Sequence, residues 1–142
     1  MDDSPTAVER LTDELRKLVG RTVWTLRLLT LPTLREFADV DSSLSVAATA
    51  SAIRHYLKDG IASMGESVHE FQGKSLPGHK LVWALRLLMG YEGQGQGAAK
   101  RRERVIHILQ LDTPLQQFRR ETSPERELLR LLAEYLVSQS AR

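Results

Sequence analysis

Apolar residues recur along most of this chain at the three- and four-residue steps of an amphipathic helix. The clearest stripe runs from Ser43 or Ser45 to Met64, and another runs from Thr6 to about Leu29. Further helices are predicted at 33–38, 80–89, 98–111, 114–120 and 124–138. Because alternating strand patterns are essentially absent, the sequence predicts an all-α fold, a compact bundle of six or seven helices.

The first helix carries two local signals of stability. Thr6 and Glu9 have the spacing of a capping box, in which a hydroxyl accepts a hydrogen bond from a backbone N–H group that has no partner within the helix. Asp13 precedes Lys17 by four residues, the favourable order for an ion pair on one helix face. The capping box predicts that the helix begins at Thr6, and the ion pair would stabilise it.

The periodic pattern breaks at 65–78, where glycine and proline predict a loop. With 142 residues and 42% hydrophobic content, the chain suits one helical domain, 1–142, that builds its own core. The loop would join two sub-halves of this domain, 4–64 and 79–138.

Charge is divided unevenly between the two halves of the chain. Residues 1–71 carry 8 Lys and Arg against 11 Asp and Glu, whereas residues 72–142 carry 12 against 7. Opposite net charges indicate halves that attract each other within one fold, and they leave open a nucleic-acid face or an acidic protein partner.

Two segments echo each other: Val23–Leu29 and Val82–Leu88 differ at one position of seven. Duplication of a helical unit would explain the echo, and so would chance convergence of two leucine-rich helices, which we favour because the flanking residues do not match. In either case Trp24 and Trp83 are expected to be large core anchors.

Composition argues against several classes of protein. There is no cysteine, which excludes disulfides and thiolate chemistry and fits a reducing compartment. The Met1–Ser4 segment is acidic where a signal peptide is basic, and no apolar run approaches the roughly 18 residues of a membrane span. We therefore expect a cytoplasmic protein with no membrane partner.

No catalytic, cofactor-binding or metal-binding residue is predicted. Glycines at 90, 93, 95 and 97 precede Lys100, but no strand precedes them and their spacing fits no phosphate loop, so a flexible linker explains them better. The four histidines are scattered and show neither metal-ligand nor triad spacing. The sequence therefore indicates a protein that is not an enzyme and needs no cofactor.

The strongest candidate for a functional site is the basic C-terminal block, because clustered guanidinium groups bind carboxylates and phosphates. The candidate residues for binding a partner or a nucleic acid are Arg101, Arg102, Arg104, Arg119 and Arg120. A solvated helix face would show the same composition.

Residues from about 100 to 120 resemble a helix-turn-helix, with a tight turn near Leu111–Thr113. Gln116 and Gln117 would then lie on the second helix, where side chains reach bases or phosphates. The motif is degenerate, because Gln110 stands where glycine is usual and Gln116 where an apolar residue is expected. A DNA-binding transcriptional regulator is therefore the alternative interpretation.

Four short motifs lie between Lys80 and Leu136: Leu87–Gly90, Arg101–Glu103, Phe118–Arg120 and Glu127–Ala133. Together they resemble a helical module that recurs in actinobacterial proteins. Such modules accompany signalling or effector domains, so the resemblance implies an adaptor or docking role.

We therefore expect a non-catalytic protein–protein interaction domain, adaptor or regulatory, in a bacterial signalling, defence or transcription-linked system. The arginine surface would steer an acidic protein partner, and a few apolar anchors would supply the affinity. The sequence leaves open DNA as a partner and assembly into a homo-oligomer.

Overall fold

The computed structural model describes residues 6–19, 31–40, 43–92, 95–118 and 124–140. These ranges contain seven α-helices: α1 (Ala7–Leu18), α2 (Pro32–Ala38), α3 (Val46–Ser63), α4 (Gly78–Leu88), α5 (Ala98–Ile108), α6 (Leu115–Phe118) and α7 (Pro124–Ser140). Between α3 and α4 lie a 3₁₀ turn (Met64–Glu66) and the strands β1 (Val68–Phe71) and β2 (Lys74–Pro77). The predicted all-α class is confirmed, with one small hairpin added.

The first and last helices pack against each other and close the core. Helix α1 packs chiefly along α7, and its residues Leu11, Leu15 and Leu18 are fully buried. On α7 the buried stripe includes Leu128 and Leu132, one turn apart. Each leucine removed from water in this way contributes roughly 2 kcal/mol. The pairing brings the two ends of the described chain together.

Helices α1 and α3, which carry the two longest predicted stripes, each begin after a residue whose hydroxyl caps the helix. Thr6 Oγ1 accepts a hydrogen bond from the Glu9 backbone N–H at 3.2 Å, which confirms the predicted cap of α1. Ser45 Oγ accepts one from the Ala48 N–H at 3.1 Å, so α3 begins directly after Ser45. These caps satisfy N–H groups that have no partner within the helix.

Helix α2 is capped by a side chain from α1. Its N-cap residue, Leu31, has no side-chain acceptor. The buried Glu14 carboxylate fills this role, because Oε2 accepts the Thr33 N–H at 3.1 Å and Oε1 accepts the Leu34 N–H at 2.9 Å. A carboxylate at a helix N-terminus also interacts favourably with the helix dipole. Glu14 therefore joins α1 to α2.

The loop predicted at 65–78 is wrong, because most of this segment forms the hairpin. Gln72 and Gly73 occupy the two turn positions with φ values of +55° and +74°, the left-handed pair of a type I′ turn. The strands pair in antiparallel register, Phe71 opposite Lys74. Phe71 and Leu76 are buried on one face of the hairpin, which packs it onto the helices.

Gly78 allows α4 to start directly against the 3₁₀ turn. A Cβ atom at this position would lie 2.3 Å from the carbonyl oxygen of Ser67 and 2.6 Å from that of Gly65. Both neighbours are backbone atoms, so a small side-chain movement cannot relieve the clash. Glycine is required here by close packing.

The prediction that Trp83 is a core anchor is wrong, because 43% of this residue is exposed. Helix α4 buries Leu81, Leu85 and Leu88, which follow one another at four- and three-residue steps. Trp83 lies about 160° around the helix from Leu85, on the opposite face. Trp24, and with it the first copy of the echoed segment, lies outside the described residues.

Candidate partner-binding site

The three predicted arginines of α5 have different surroundings. Arg101 is buried, with 3% of its surface exposed. Arg102 is partly buried and ion-paired to Glu125. Arg104 is partly exposed and donates from Nη1 to Gln96 Oε1 at 3.1 Å. Arg119 and Arg120 lie outside the described residues, so their assignment to the site stays a prediction.

The expectation of an exposed arginine surface is not met at Arg101. Its side chain lies on the same face of α5 as the buried Val105, one turn later. Burial lowers the pKa of Arg101, and the neighbouring charge of Arg102 lowers it further. Among the described residues, no group accepts a hydrogen bond from its buried Nε atom. Arg101 therefore lies inside the fold, behind the surface that Arg102 reaches.

Arg102 and Glu125 join α5 to the first turn of α7. Arg102 Nε and Nη2 each donate to Glu125 Oε1 at 3.1 Å. The side chains retain only 16% and 3% of their exposure, respectively. Glu125 also lies in the first helical turn, where the dipole favours a negative charge. The pair fixes the position of Arg102 and leaves one flank of it open.

That open flank faces a groove of about 380 Å³ between α1, α5 and α7, which we call the charged groove. Its lining residues are Asp13, Arg16, Lys17, Arg102 and Glu125.

Arg126 reinforces the positive charge at the edge of the charged groove. It lies next to Glu125 on α7 and donates from Nη1 to Asp13 Oδ1 at 2.8 Å. The predicted pairing of Asp13 with Lys17 is replaced by this contact across the fold. The salt bridge joins a residue of the acidic half of the chain to one of the basic half.

Within the part of the chain that the structure describes, and counting Arg126, four cations surround two carboxylates at the charged groove. Both carboxylates already have arginine partners, Glu125 with Arg102 and Asp13 with Arg126. Lys17 is exposed, and no residue in the described ranges forms an ion pair with it. The groove therefore presents a net positive potential suited to an anionic side chain or phosphate.

Sequence reasoning missed the contribution of α1 to this site. Asp13, Arg16 and Lys17 lie on the polar face of α1, opposite the buried leucine stripe. Their charge is visible locally, but their position beside Arg102 depends on the packing of α1 against α7. A search for cations on the exposed face of each predicted helix would have found Arg16 and Lys17.

The turn between α5 and α6 closes with a complete Schellman motif. The Leu111 N–H donates to the Ile106 carbonyl at 3.0 Å, and the Gln110 N–H donates to the His107 carbonyl at 3.1 Å. Gln110 has φ +54°, the left-handed conformation that glycine adopts most easily. Gln110 therefore takes the place of the glycine expected in a helix-turn-helix.

The described part of α6 comprises only the four residues Leu115–Phe118. Gln116 and Gln117 are exposed on it, whereas Phe118 is fully buried. The two glutamines are therefore accessible, and Phe118 anchors the helix to the core.

Two further properties concern the described residues as a whole. No group of three or more His, Asp or Glu side chains within these ranges is arranged to hold a metal ion. No helix there combines the length and apolarity that crossing a bilayer requires.

No protein-family model, curated protein or solved structure matches this chain.

Proposed function

We propose that this chain is a non-catalytic protein–protein interaction domain, an adaptor or regulatory unit of a bacterial signalling, defence or transcription-linked system. Its partner presents an acidic segment that docks at the charged groove. The observation that supports this proposal is the excess of cations at the groove, where both carboxylates already have arginine partners.

The groove combines a cation that an ion pair holds in place with one that is exposed. Arg102 is held by Glu125 and presents its guanidinium in one orientation, which costs little entropy when a partner binds. Lys17 is exposed and can follow an approaching carboxylate. Such an arrangement steers encounter by long-range attraction, which salt weakens.

Binding to a labelled polyglutamate peptide tests this proposal by fluorescence anisotropy at two salt concentrations. Lys17→Glu should weaken binding about three- to tenfold, because it replaces an attraction of up to about 1 kcal/mol with a repulsion. Lys58→Glu is the matched control, since Lys58 is exposed on α3, does not line the groove and undergoes the same change of charge. Equal loss in both variants would show that only net charge matters and would contradict the proposal.

A DNA-binding regulator is the second candidate, favoured by the left-handed Gln110 in the turn and by the exposed Gln116 and Gln117. Labelled random duplex DNA in the same assay distinguishes the two candidates. When a protein neutralises DNA phosphates, the logarithm of the binding constant falls linearly with the logarithm of the salt concentration. The slope is about −0.9 for each phosphate neutralised. A steep slope, with loss of binding in Arg119→Ala/Arg120→Ala, would replace our proposal with the DNA-binding one.

A further inference from the structure

A second groove, of about 410 Å³, lies along β2 and is separate from the charged groove. All four residues of β2, Lys74–Pro77, line one side of it, with Phe71 and Gln72 at the turn of the hairpin. The end of α5 and the connection that follows it, Ile108–Thr113, line the other side. Successive side chains of a strand point to opposite faces, so a groove over one face would be lined by every second residue. Lining by all four consecutive residues of β2 indicates that the groove extends from the turn of the hairpin to the free edge of this strand.

The hairpin register determines which backbone groups face this β2 groove. The type I′ turn makes Phe71 and Lys74 a hydrogen-bonded pair, and such pairs alternate along an antiparallel ladder. The N–H and C=O groups of Ser75 therefore point away from β1. Pro77 also occupies an outward position, where its missing N–H costs the hairpin nothing.

No strand in the described part of the chain pairs with this edge. The two-stranded sheet ends at β2, and no described backbone group outside the hairpin hydrogen-bonds to the Ser75 N–H. The edge thus offers the N–H and C=O of Ser75 and the C=O of Pro77. Unpaired edge groups of this kind bind another extended chain by adding a strand to the sheet.

The walls of the β2 groove select the side chains of such a strand. Lys74 and Lys80 lie on the hairpin side of the groove, where no described residue forms an ion pair with them. Asp112 is the single acidic residue in its lining. The opposite wall includes the half-buried side chains of Ile108 and Leu109. Charge complementarity therefore favours acidic residues beside the lysines and apolar residues against the opposite wall.

We propose that the β2 groove binds a short, acidic, extended peptide that pairs with Ser75 as a third strand. Four strand residues span roughly 13 Å, so a peptide of four to six residues fills the edge. The peptide can belong to the same partner that docks at the charged groove or to another protein, because this proposal uses none of the charged-groove residues.

Selection from a phage-displayed library of random octapeptides against the full chain supplies the probe. We expect enrichment of peptides that contain acidic and β-branched residues. The double variant Lys74→Glu/Lys80→Glu should bind the best of them at least tenfold more weakly. Lys58→Glu/Lys100→Glu, two exposed lysines outside the β2 groove, is the matched control and should change affinity less than threefold.

N-methylation of each peptide residue in turn then tests the backbone pairing without altering the protein. Strand addition predicts alternation: methylation at residues whose N–H faces Ser75 weakens binding at least tenfold, and methylation at the residues between has little effect. The Ser75 amide signal in NMR spectra should shift in the complex. Failure to enrich any peptide, a methylation profile without alternation, or an unshifted Ser75 amide would overturn the proposal.

Because Lys17→Glu alters only the charged groove, it should leave binding of this peptide unchanged. Conversely, polyglutamate should shift the amide signals of the α1 residues of the charged groove in Lys74→Glu/Lys80→Glu as much as in the unaltered protein. The two proposals can therefore fail independently.

Discussion

Glu125→Gln should be a strongly destabilising charge change, because it breaks the partly buried pair with Arg102. Removing one partner of a buried ion pair costs about 3–5 kcal/mol. Arg102 retains 16% of its side-chain exposure and can reach water, which places the expected loss near the lower limit. The lost charge in the first turn of α7 adds about 0.3–1 kcal/mol. We therefore expect a loss of about 3–4 kcal/mol in the free energy of unfolding.

Urea denaturation measures this loss. With an m-value of about 2 kcal/mol/M, typical of a small protein, the midpoint should fall by roughly 1.5–2 M. Glu134→Gln is the matched control, since Glu134 pairs with Arg130 at 3.1 Å on the exposed surface of α7. Such an exposed pair contributes only about 0.3–0.5 kcal/mol. If the two substitutions cost amounts within 1 kcal/mol of each other, the reasoning about the Arg102–Glu125 pair is wrong.

Three further predictions concern stability and are measured by chemical or thermal unfolding. Gln110→Gly should stabilise the protein by about 0.5–1 kcal/mol, because glycine adopts the left-handed conformation without strain; a decrease would contradict the role of this turn. Gly78→Ala should cost about 1–3 kcal/mol or more, because the added Cβ would overlap backbone atoms. Gly97→Ala is the control: an added Cβ there would meet nothing within 4 Å, so stability should change by less than about 1 kcal/mol. Equal effects of the two substitutions would refute the packing explanation. Burial raises the pKa of both Tyr56 and Tyr91. The unfolded chain therefore loses these protons first, and the free energy of unfolding should fall as pH rises above about 10. In a pH titration, tyrosinate absorbance should therefore appear at a higher pH in the folded protein than in the unfolded chain.

Local sequence patterns predicted the helices whose faces are set by their own residues. The stripe Ile53, Leu57 and Ile61 and the cap at Ser45 lie within one segment, so α3 follows from periodicity alone. The prediction for Trp83 was wrong because it relied on the size of the side chain and ignored its position around the helix. The neighbouring leucines Leu81 and Leu85 already define the buried face of α4, and Trp83 lies opposite them.

The hairpin was missed because each strand has only four residues and carries polar side chains. Its signal was Gln72-Gly73, a two-residue turn that contains glycine, between Phe71 and Lys74. Glutamine is not among the residues that most favour a left-handed turn position, so the signal is weaker than Asn-Gly. Tertiary packing of Phe71 onto the helices compensates for this weak turn signal.

The candidate site was only partly predictable, because tertiary packing determines which side chains are buried and which distant residues meet. Arg101 and Arg102 look equivalent in sequence, but each residue turns the helix by about 100°. Extending the buried stripe back from Val105 by one turn would have placed Arg101 inside. The contact of Asp13 with Arg126 joins residues 113 positions apart and has no local signal.

Mapping the polyglutamate contact by amide NMR tests the central claim most directly, because it reports where the acidic chain binds. We predict shifts concentrated at Arg16, Lys17 and Arg102, which become smaller at the same peptide concentration in Lys17→Glu and persist in Lys58→Glu. Shifts spread evenly over all exposed lysines, or concentrated on a surface away from these three residues, would contradict the assignment of the charged groove as the docking site.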